Sequence, residues 1–160
     1  GTWKEHPDNH PAAISPVRGQ GLLTFEGESV VRQHIDVVFP VLHGENGEDG
    51  AMQGLMQMAG IPYVGPHVAA SAVSMDKTLT KLVVDHAGVP QAAWQLVRST
   101  DLDNRMENTL DTLELRFRYP MFVKPAGTGS SVGVSKAADR ESLKTALLNA
   151  GKFDKKILVE

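Results

Sequence analysis

The feature that most constrains this chain is the glycine- and serine-rich stretch from Lys124 to Lys136, Lys-Pro-Ala-Gly-Thr-Gly-Ser-Ser-Val-Gly-Val-Ser-Lys. A short apolar strand is predicted before it, at 121–123, and a second short strand is predicted within its last part, at 132–135. Phosphate binding needs open backbone N–H groups, hydroxyl donors and a nearby cation. The stretch supplies all three, so it predicts a loop that covers a nucleotide phosphate. The alternative is a hairpin whose glycines only permit positive φ angles.

The position of Lys124 ahead of the loop separates the known kinds of phosphate-binding loop. A Walker A loop reads G-x-x-x-x-G-K-[ST] and opens a helix, whereas here no lysine follows the last glycine and a strand follows the loop. The glycine-rich loop of a protein kinase precedes its lysine in sequence. A glycine-rich lid between two strands, with the lysine on the entering strand, therefore fits the ATP-grasp enzymes best.

The first half of the chain predicts a βαβ unit. The continuous apolar run at 36–42 is typical of a parallel strand covered on both faces. A helix with Met52 and Met56 on its inner face follows, Gly60 ends it, and a second strand is predicted at 61–65. Ligands in such sheets bind beyond the carboxyl ends of the strands, where His43 lies. The alternative for His43 is a structural hydrogen bond to a loop carbonyl.

The second half predicts short strands and helices in an α+β order, with a boundary near residues 74–80. In the helix at this boundary, an apolar face is predicted for the side chains that fall at helical spacing, Met75, Leu79, Leu82 and Val83. Lys77 lies off that face, so the pattern alone predicts a solvated lysine. Asp139 is predicted to cap a later helix that Gly151 closes.

Composition excludes several classes of function. The 160 residues carry a net charge of −3, which gives no general attraction for nucleic acid. The absence of cysteine excludes disulfides, thiolate metal sites and cysteine nucleophiles. No apolar run approaches the roughly 20 residues of a membrane span, and no leader opens the chain, so a cytoplasmic location is expected. Both ends resemble interrupted strands, so we expect a fragment of a longer protein.

Several motifs together closely resemble bacterial D-alanine–D-alanine ligases, which are ATP-grasp enzymes. They run in order as His43-Gly44, Gly47-Glu48-Asp49-Gly50-x-x-Gln53-Gly54, Ser74-Met75-Asp76-Lys77, Val123-Lys124-Pro125 and the run Gly129 to Lys136. The resemblance implies an α/β fold with two parts. Residues 1–78 would be a partial N-terminal parallel-sheet (preATP-grasp, Rossmann-like) domain, and residues 79–160 a partial α+β ATP-grasp domain.

The resemblance also implies roles for individual residues. Lys77 and Lys124 would contact the phosphates of ATP, and Glu160 would bind the adenine amino group. Three lid residues would meet the phosphates and the active site, namely Ser130, Ser131 and Val132. His43 would face the D-alanine that supplies the activated carboxylate, and Glu48 would hold a later active-site loop.

The implied reaction forms D-alanyl-D-alanine for peptidoglycan and cell-wall synthesis, through an acyl phosphate made from ATP. The resemblance implies a Mg²⁺ cofactor whose ligands lie outside this chain, a homodimer in the full-length protein, and no membrane or nucleic-acid partner. We expect the isolated chain to be inactive. The alternatives are a D-alanine–D-lactate or D-alanine–D-serine ligase, and a non-catalytic nucleotide-binding module. Val132 matches the dipeptide-forming enzymes, because the lactate-forming relatives carry Phe there.

Overall fold

A computed structural model describes residues 10–160, and the first nine residues of the predicted N-terminal domain lie outside this range. The described part of the chain begins with a three-stranded antiparallel sheet. Its strands are β1 (Ala12–Ile14), β2 (Leu22–Glu26) and β3 (Ser29–Gln33). In the tight turn between β2 and β3, Gly27 has a φ of 64°, as two-residue hairpin turns require.

The apolar segment 36–42 does not form the full strand that its composition predicts. Within residues 10–160 its ladder contact is a single parallel bridge between Val38 and Tyr63. Phe39 and Val41 are each 70% exposed. A strand buried on both faces needs strands beside it and helices over it, and the described part of the chain provides one short neighbour. The predicted parallel pairing is confirmed, whereas the predicted length of the strand is wrong.

The helix of the predicted βαβ unit is confirmed as α1 (Ala51–Ala59), with Gly60 in the left-handed conformation at its end. Its inner face forms a small core with the segments around it. The buried members of this core are Met56, Ala59 and Ile61, and the half-buried members are Ile14, Ile35, Val38, Met52 and Tyr63. This core holds residues 35–63 together below the loop that carries His43.

Two helices lead from this core towards the second sheet, α2 (Val68–Met75) and α3 (Lys77–His86). The carboxylate of Asp76 lies between them and accepts hydrogen bonds from the backbone N–H groups of Thr78 and Leu79. Because these N–H groups have no partner within the helix, Asp76 acts as the N-cap that starts α3.

The predicted orientation of α3 is wrong. Leu79, Leu82 and Val83 are 40%, 54% and 54% exposed, so the apolar face does not pack inward within residues 10–160. The face that lies against the second sheet instead carries Lys77 and Lys81. Local periodicity cannot reveal this, because the sheet offers α3 a polar surface built from residues far along the chain.

The second sheet has four strands in the spatial order β4-β7-β5-β6, and all neighbours are antiparallel. The strands are β4 (Gln95–Arg98), β5 (Met121–Pro125), β6 (Ser135–Ala137) and β7 (Lys156–Val159). Two helices, α4 (Ser99–Arg116) and α5 (Arg140–Ala150), cover one face. Strand β6 begins at Ser135 rather than at Val132 as predicted, because residues 130–133 turn.

Alternation along β5 separates a core face from a site face. Met121 and Val123 are fully buried and pack with Leu143 and Leu147 of α5. The intervening side chains, including Lys124, point to the opposite face. The predicted cap of α5 is confirmed, since the Asp139 carboxylate and Ser142 form a reciprocal capping box.

Candidate nucleotide-binding site

The glycine- and serine-rich loop forms a compact turn between β5 and β6. Ser130 and Ser131 have φ angles of 50° and 59°, and Gly133 has a φ of 73°. The Thr128 hydroxyl donates to the carbonyl oxygen of Val132 at 2.9 Å, which closes the turn. Positive φ is uncommon for residues other than glycine and recurs at functional sites. The turn leaves both serine side chains exposed at its tip.

Lys77 holds the base of this loop from the start of α3. Its Nζ donates to the carbonyl oxygens of Pro125 at 3.1 Å and Ala126 at 3.4 Å, and to that of Thr128 at 2.5 Å. Its backbone N–H also donates to the carbonyl oxygen of Ala126 at 2.9 Å. The prediction of a solvated lysine from helical spacing is therefore wrong, and Lys77 links α3 to the loop across 51 residues of sequence.

The electrostatics around Lys77 favour an anion. Burial, followed by the positive charge of Lys124, lowers the pKa of Lys77 below its ordinary value of 10.5, and Asp154 acts in the opposite direction. Two cations held on one side of a sheet repel each other, and a negative group placed between them would relieve that repulsion. A phosphate group meets this requirement.

Glu160 receives two lysines at the end of β7. Its Oε1 is paired with the Nζ of Lys124, and its Oε2 lies 2.6 Å from the Nζ of Lys81. The side chains of Lys81 and Glu160 are each 16% exposed, so the group is shielded from water. Burial opposes ionisation of Glu160, but the hydrogen bonds and charges of Lys124 and Lys81 outweigh it and lower its pKa below the ordinary 4.5.

The register of β5 and β7 explains why Lys124 and Glu160 meet. Lys124 lies opposite Leu158, and Glu160 pairs with Phe122 through two backbone hydrogen bonds of 2.6 and 3.0 Å. Lys124 and Glu160 are therefore diagonal neighbours on one face, within reach of long side chains. A slip of one residue would turn one of the two towards the core.

A cavity of about 270 Å³ lies between this face of the sheet and α3. Its lining includes the three lysines and the carboxylate, and the full set is Ser74, Lys77, Thr80, Lys81, Gln91, Lys124, Leu158 and Glu160. The lining combines cations with hydrogen-bonding groups and one apolar side chain. Such a lining suits a negatively charged ligand that also carries a planar ring with hydrogen-bonding groups.

Several residues of this site were not predicted from the sequence. Asp154 accepts hydrogen bonds from the backbone N–H groups of Gly127 at 2.6 Å and Lys156 at 2.9 Å, so it ties the loop to β7. Lys156 in turn pairs with Asp76. Lys81 carried one usable signal, because its spacing of four residues from Lys77 places both on one helix face.

His43 and Glu48 lie together on the loop before α1. The Nδ1 of His43 is 4.0 Å from the Oε1 of Glu48, and their side chains are 87% and 51% exposed. The Oε2 of Glu48 accepts a hydrogen bond of 2.5 Å from the backbone N–H of Gly44. In this structure Glu48 therefore stabilises its own loop.

The lid approaches the His43 loop at its tip. A Cβ atom built on Gly129 would lie 4.0 Å from the Cα of Gly44 and 3.6 Å from the Cε of Met75. Gly129, which precedes Ser130, therefore lies beside Gly44, which follows His43. The structure brings Lys77, Lys124 and Glu160 into one cluster, and places the lid close to the His43 loop.

A metal centre is not defined by these residues. Among residues 10–160 there is no group of three or more His, Asp or Glu side chains arranged to hold an ion. Mg²⁺ is commonly bound by one or two carboxylates together with substrate phosphates and waters, so this finding concerns only a site built from protein side chains alone. In the same range, the helices are too short or too polar for any of them to cross a membrane.

Two family models match successive parts of the chain. The model described as D-ala D-ala ligase N-terminus matches residues 4–66, and the model described as D-ala D-ala ligase C-terminus matches residues 83–160. The chain belongs to the D-alanine–D-alanine ligase family, whose members are ATP-dependent ligases of the ATP-grasp fold.

Curated relatives agree with this assignment. The D-alanine–D-alanine ligase of Acetivibrio thermocellus is 52% identical over 133 residues, which are 83% of this chain and 35% of that protein. The D-alanine–D-alanine ligase of Deinococcus radiodurans is 42% identical over an alignment of 163 residues, which covers all of this chain and 47% of that protein. The chain thus spans less than half the length of these relatives.

Solved structures show the same fold. The VanG D-Ala:D-Ser ligase of Enterococcus faecalis superposes with a TM-score of 0.81 at 34% identity, over 94% of this chain and 42% of that one. The D-alanyl-alanine synthetase A of Vibrio cholerae gives a TM-score of 0.81 at 28% identity, over 96% of this chain and 44% of that one. The predicted fold class is confirmed.

Proposed function

We propose that this chain forms the part of a D-alanine–D-alanine ligase that binds ATP, and that the whole protein joins two D-alanines for peptidoglycan synthesis. The observation that carries the proposal is the convergence of Lys77, Lys124 and Glu160 around one cavity beside the glycine-rich lid. Family membership supports the reaction, because the curated relatives carry that name.

In the proposed mechanism, Lys77 and Lys124 bind the phosphates, and Glu160 accepts a hydrogen bond from the 6-amino group of adenine. The ammonium groups stabilise charge that spreads over the phosphoryl oxygens, where positioning and electrostatics provide most of the catalysis. Lys124 is paired with Glu160 in this structure, so phosphate binding would draw Lys124 away from that carboxylate.

The proposed reaction has two steps. The carboxylate of the first D-alanine attacks the γ-phosphorus of ATP, which forms an acyl phosphate and releases ADP. The amine of the second D-alanine then attacks the acyl carbon, expels inorganic phosphate and loses a proton. The whole protein would also use Mg²⁺, as expected for the family, and the protein ligands of the metal would lie outside this chain.

The lid and the His43 loop would serve the reacting groups. Three lid residues would close over the phosphates, Ser130, Ser131 and Val132, and His43 would face the first D-alanine. The approach of Gly129 to Gly44 supports this, because it brings the two loops together. Glu48 would exchange its contact with the Gly44 N–H for a later loop of the whole protein.

The experiment compares Lys124→Ala with Lys152→Ala in the whole protein, measuring D-alanine-dependent phosphate release and dipeptide formation. Lys152 is an exposed lysine between α5 and β7 and serves as the matched control. We expect Lys124→Ala to lower kcat/KM for ATP by about 100-fold or more, since one oriented charged contact contributes roughly 3 kcal/mol to transition-state binding. An unchanged KM and kcat would contradict the proposal.

A second candidate function is the joining of D-alanine to D-serine. The structural similarity to the VanG D-Ala:D-Ser ligase supports this candidate. Supplying D-alanine with D-serine or D-lactate and identifying the products by mass spectrometry decides between these substrates. A whole protein that binds ATP but releases no phosphate with any of them would instead support a non-catalytic nucleotide-binding module.

We also propose the division into residues 1–78 and 79–160, a homodimeric whole protein and a cytoplasmic location. The family models support a division, because one ends at residue 66 and the other begins at residue 83. Limited proteolysis should cut near this junction, and sedimentation equilibrium of the whole protein should give twice the monomer mass. We expect the 160-residue chain alone to release no phosphate.

A further inference from the structure

The carboxylate of Glu160 is shared between two lysines that differ in their other surroundings. Lys124 extends from β5 beside the lid, where the proposed phosphates would bind. Lys81 extends from the middle of α3, and its Nζ lies 2.6 Å from the Oε2 of Glu160 and 3.5 Å from the carbonyl oxygen of Ala92. Its own carbonyl oxygen accepts a hydrogen bond of 2.8 Å from Gln91. Lys81 thus contacts Glu160 and the segment that precedes β4.

This difference matters once a nucleotide binds. If Lys124 moves to a phosphate, Glu160 loses one of its two counterions while its side chain is still 16% exposed. A shielded carboxylate without a cation is strongly disfavoured, so it would take up a proton or turn towards water. Lys81 is positioned to prevent proton uptake and rotation of Glu160, because its contact with Oε2 does not involve the lid.

We infer that Lys81 is a positioning residue, which keeps Glu160 ionised and oriented so that its freed oxygen accepts the 6-amino group of adenine. The inference rests on the proposed function, in which Glu160 contacts the base. Lys81 would act through Glu160 and would not touch the reacting atoms.

The same arrangement gives base selectivity. An ionised carboxylate accepts hydrogen bonds only, so it suits the 6-amino group of adenine and repels the 6-oxo oxygen of hypoxanthine or guanine. A protonated carboxyl can donate to that oxygen. Loss of the Lys81 charge would therefore weaken ATP binding and leave binding of a 6-oxo nucleotide unchanged or stronger.

The test uses the whole protein with four variants, and measures Kd by calorimetry for ATP and for inosine triphosphate, together with kcat at saturating ATP. Lys81→Met removes the charge, Lys81→Gln keeps a polar group and guards against misfolding of the first variant, and Lys81→Arg restores the charge. Lys152→Met removes an exposed lysine as the matched control.

We expect Lys81→Met and Lys81→Gln to raise the Kd for ATP by about tenfold, the size expected for one hydrogen bond to a charged group. The Kd for inosine triphosphate should not rise, kcat should stay within about twofold because the reacting atoms are untouched, and Lys81→Arg should recover most of the ATP affinity. Equal weakening for both nucleotides, or ATP binding by both neutral variants like that of Lys152→Met, would overturn the inference. Failure of the unmodified protein to bind ATP would instead refute the proposed function itself.

Discussion

Lys156 of β7 forms an ion pair with Asp76, the residue whose carboxylate also caps α3. One oxygen of Asp76 accepts the N–H groups at the helix start, and the other accepts the lysine from the sheet. The contact fixes the first turn of α3, and with it Lys77, relative to β7. The position of Lys77, a proposed phosphate-binding lysine, therefore depends on the ion pair between Asp76 and Lys156, which have no proposed contact with ATP.

Replacing Asp76 should reveal this dependence. Asp76→Ala removes both the cap and the ion pair, so we expect the free energy of unfolding of the whole protein to fall by about 2 kcal/mol. Lys156→Met removes only the ion pair and should cost about 1 kcal/mol or less. Urea titration measures both. Equal losses in the two variants would mean that the cap contributes nothing.

The packing of α5 on the sheet offers a test with adjacent leucines. Leu147 is 0% exposed in the core between α5 and the sheet, whereas Leu148 is 47% exposed on the same helix. Leu147→Ala leaves a cavity and should lower the free energy of unfolding by about 2–5 kcal/mol. Leu148→Ala should cost less than about 1 kcal/mol. The prediction fails if chemical denaturation shows similar losses for both.

Two glycines of the lid should differ in their tolerance of a methyl group. Gly133 has a φ of 73°, and a Cβ there would lie 2.7 Å from the Cγ of Pro125 and 2.7 Å from the Cδ2 of Phe153. Gly129 has no positive φ, and its Cβ would make ordinary contact with Met75 at 3.6 Å. Gly133→Ala should therefore cost about 1–2 kcal/mol of stability from the backbone alone and raise the KM for ATP. Gly129→Ala should be nearly neutral in stability, and the reverse order would contradict the loop geometry.

The contacts of Glu160 should make stability depend on pH. Its pKa in the folded chain lies below the ordinary 4.5, so its contacts with Lys81 and Lys124 stabilise the fold above that value. The contribution is lost as the pH falls through the lowered pKa of the folded state. The stability difference between the unmodified protein and Glu160→Gln should therefore shrink on acidification.

The measurement is the free energy of unfolding of both proteins from neutral pH into the acid range. Glu45→Gln, an exposed carboxylate in the His43 loop, is the matched control and should track the unmodified protein throughout. A difference between the unmodified protein and Glu160→Gln that stays constant on acidification would show that the lysines do not stabilise the ionised form.

The sequence by itself determined the local elements and the family. Strand β5, the lid, the capped helix α5 and the terminal strand β7 all follow from short-range signals, namely alternation, glycine content and a capping residue. The motifs around His43, Lys77 and Lys124 identified the ligase family because their types and spacing are visible along the chain. The order of lysine and loop along the chain excluded the Walker and kinase loops.

Only the tertiary structure decided how the lysines are used. Lys77 donates to carbonyl groups 48 to 51 residues away, and Lys124 and Lys81 share a carboxylate 36 and 79 positions later in the chain. These meetings depend on the register of β5 against β7 and on which face of α3 turns inward. Helical periodicity predicted that the apolar face of α3 packs inward, but in the structure the face with Lys77 and Lys81 lies against the sheet. The reason is physical: a pattern reports which side chains share a face, whereas the partner surface is built from distant strands.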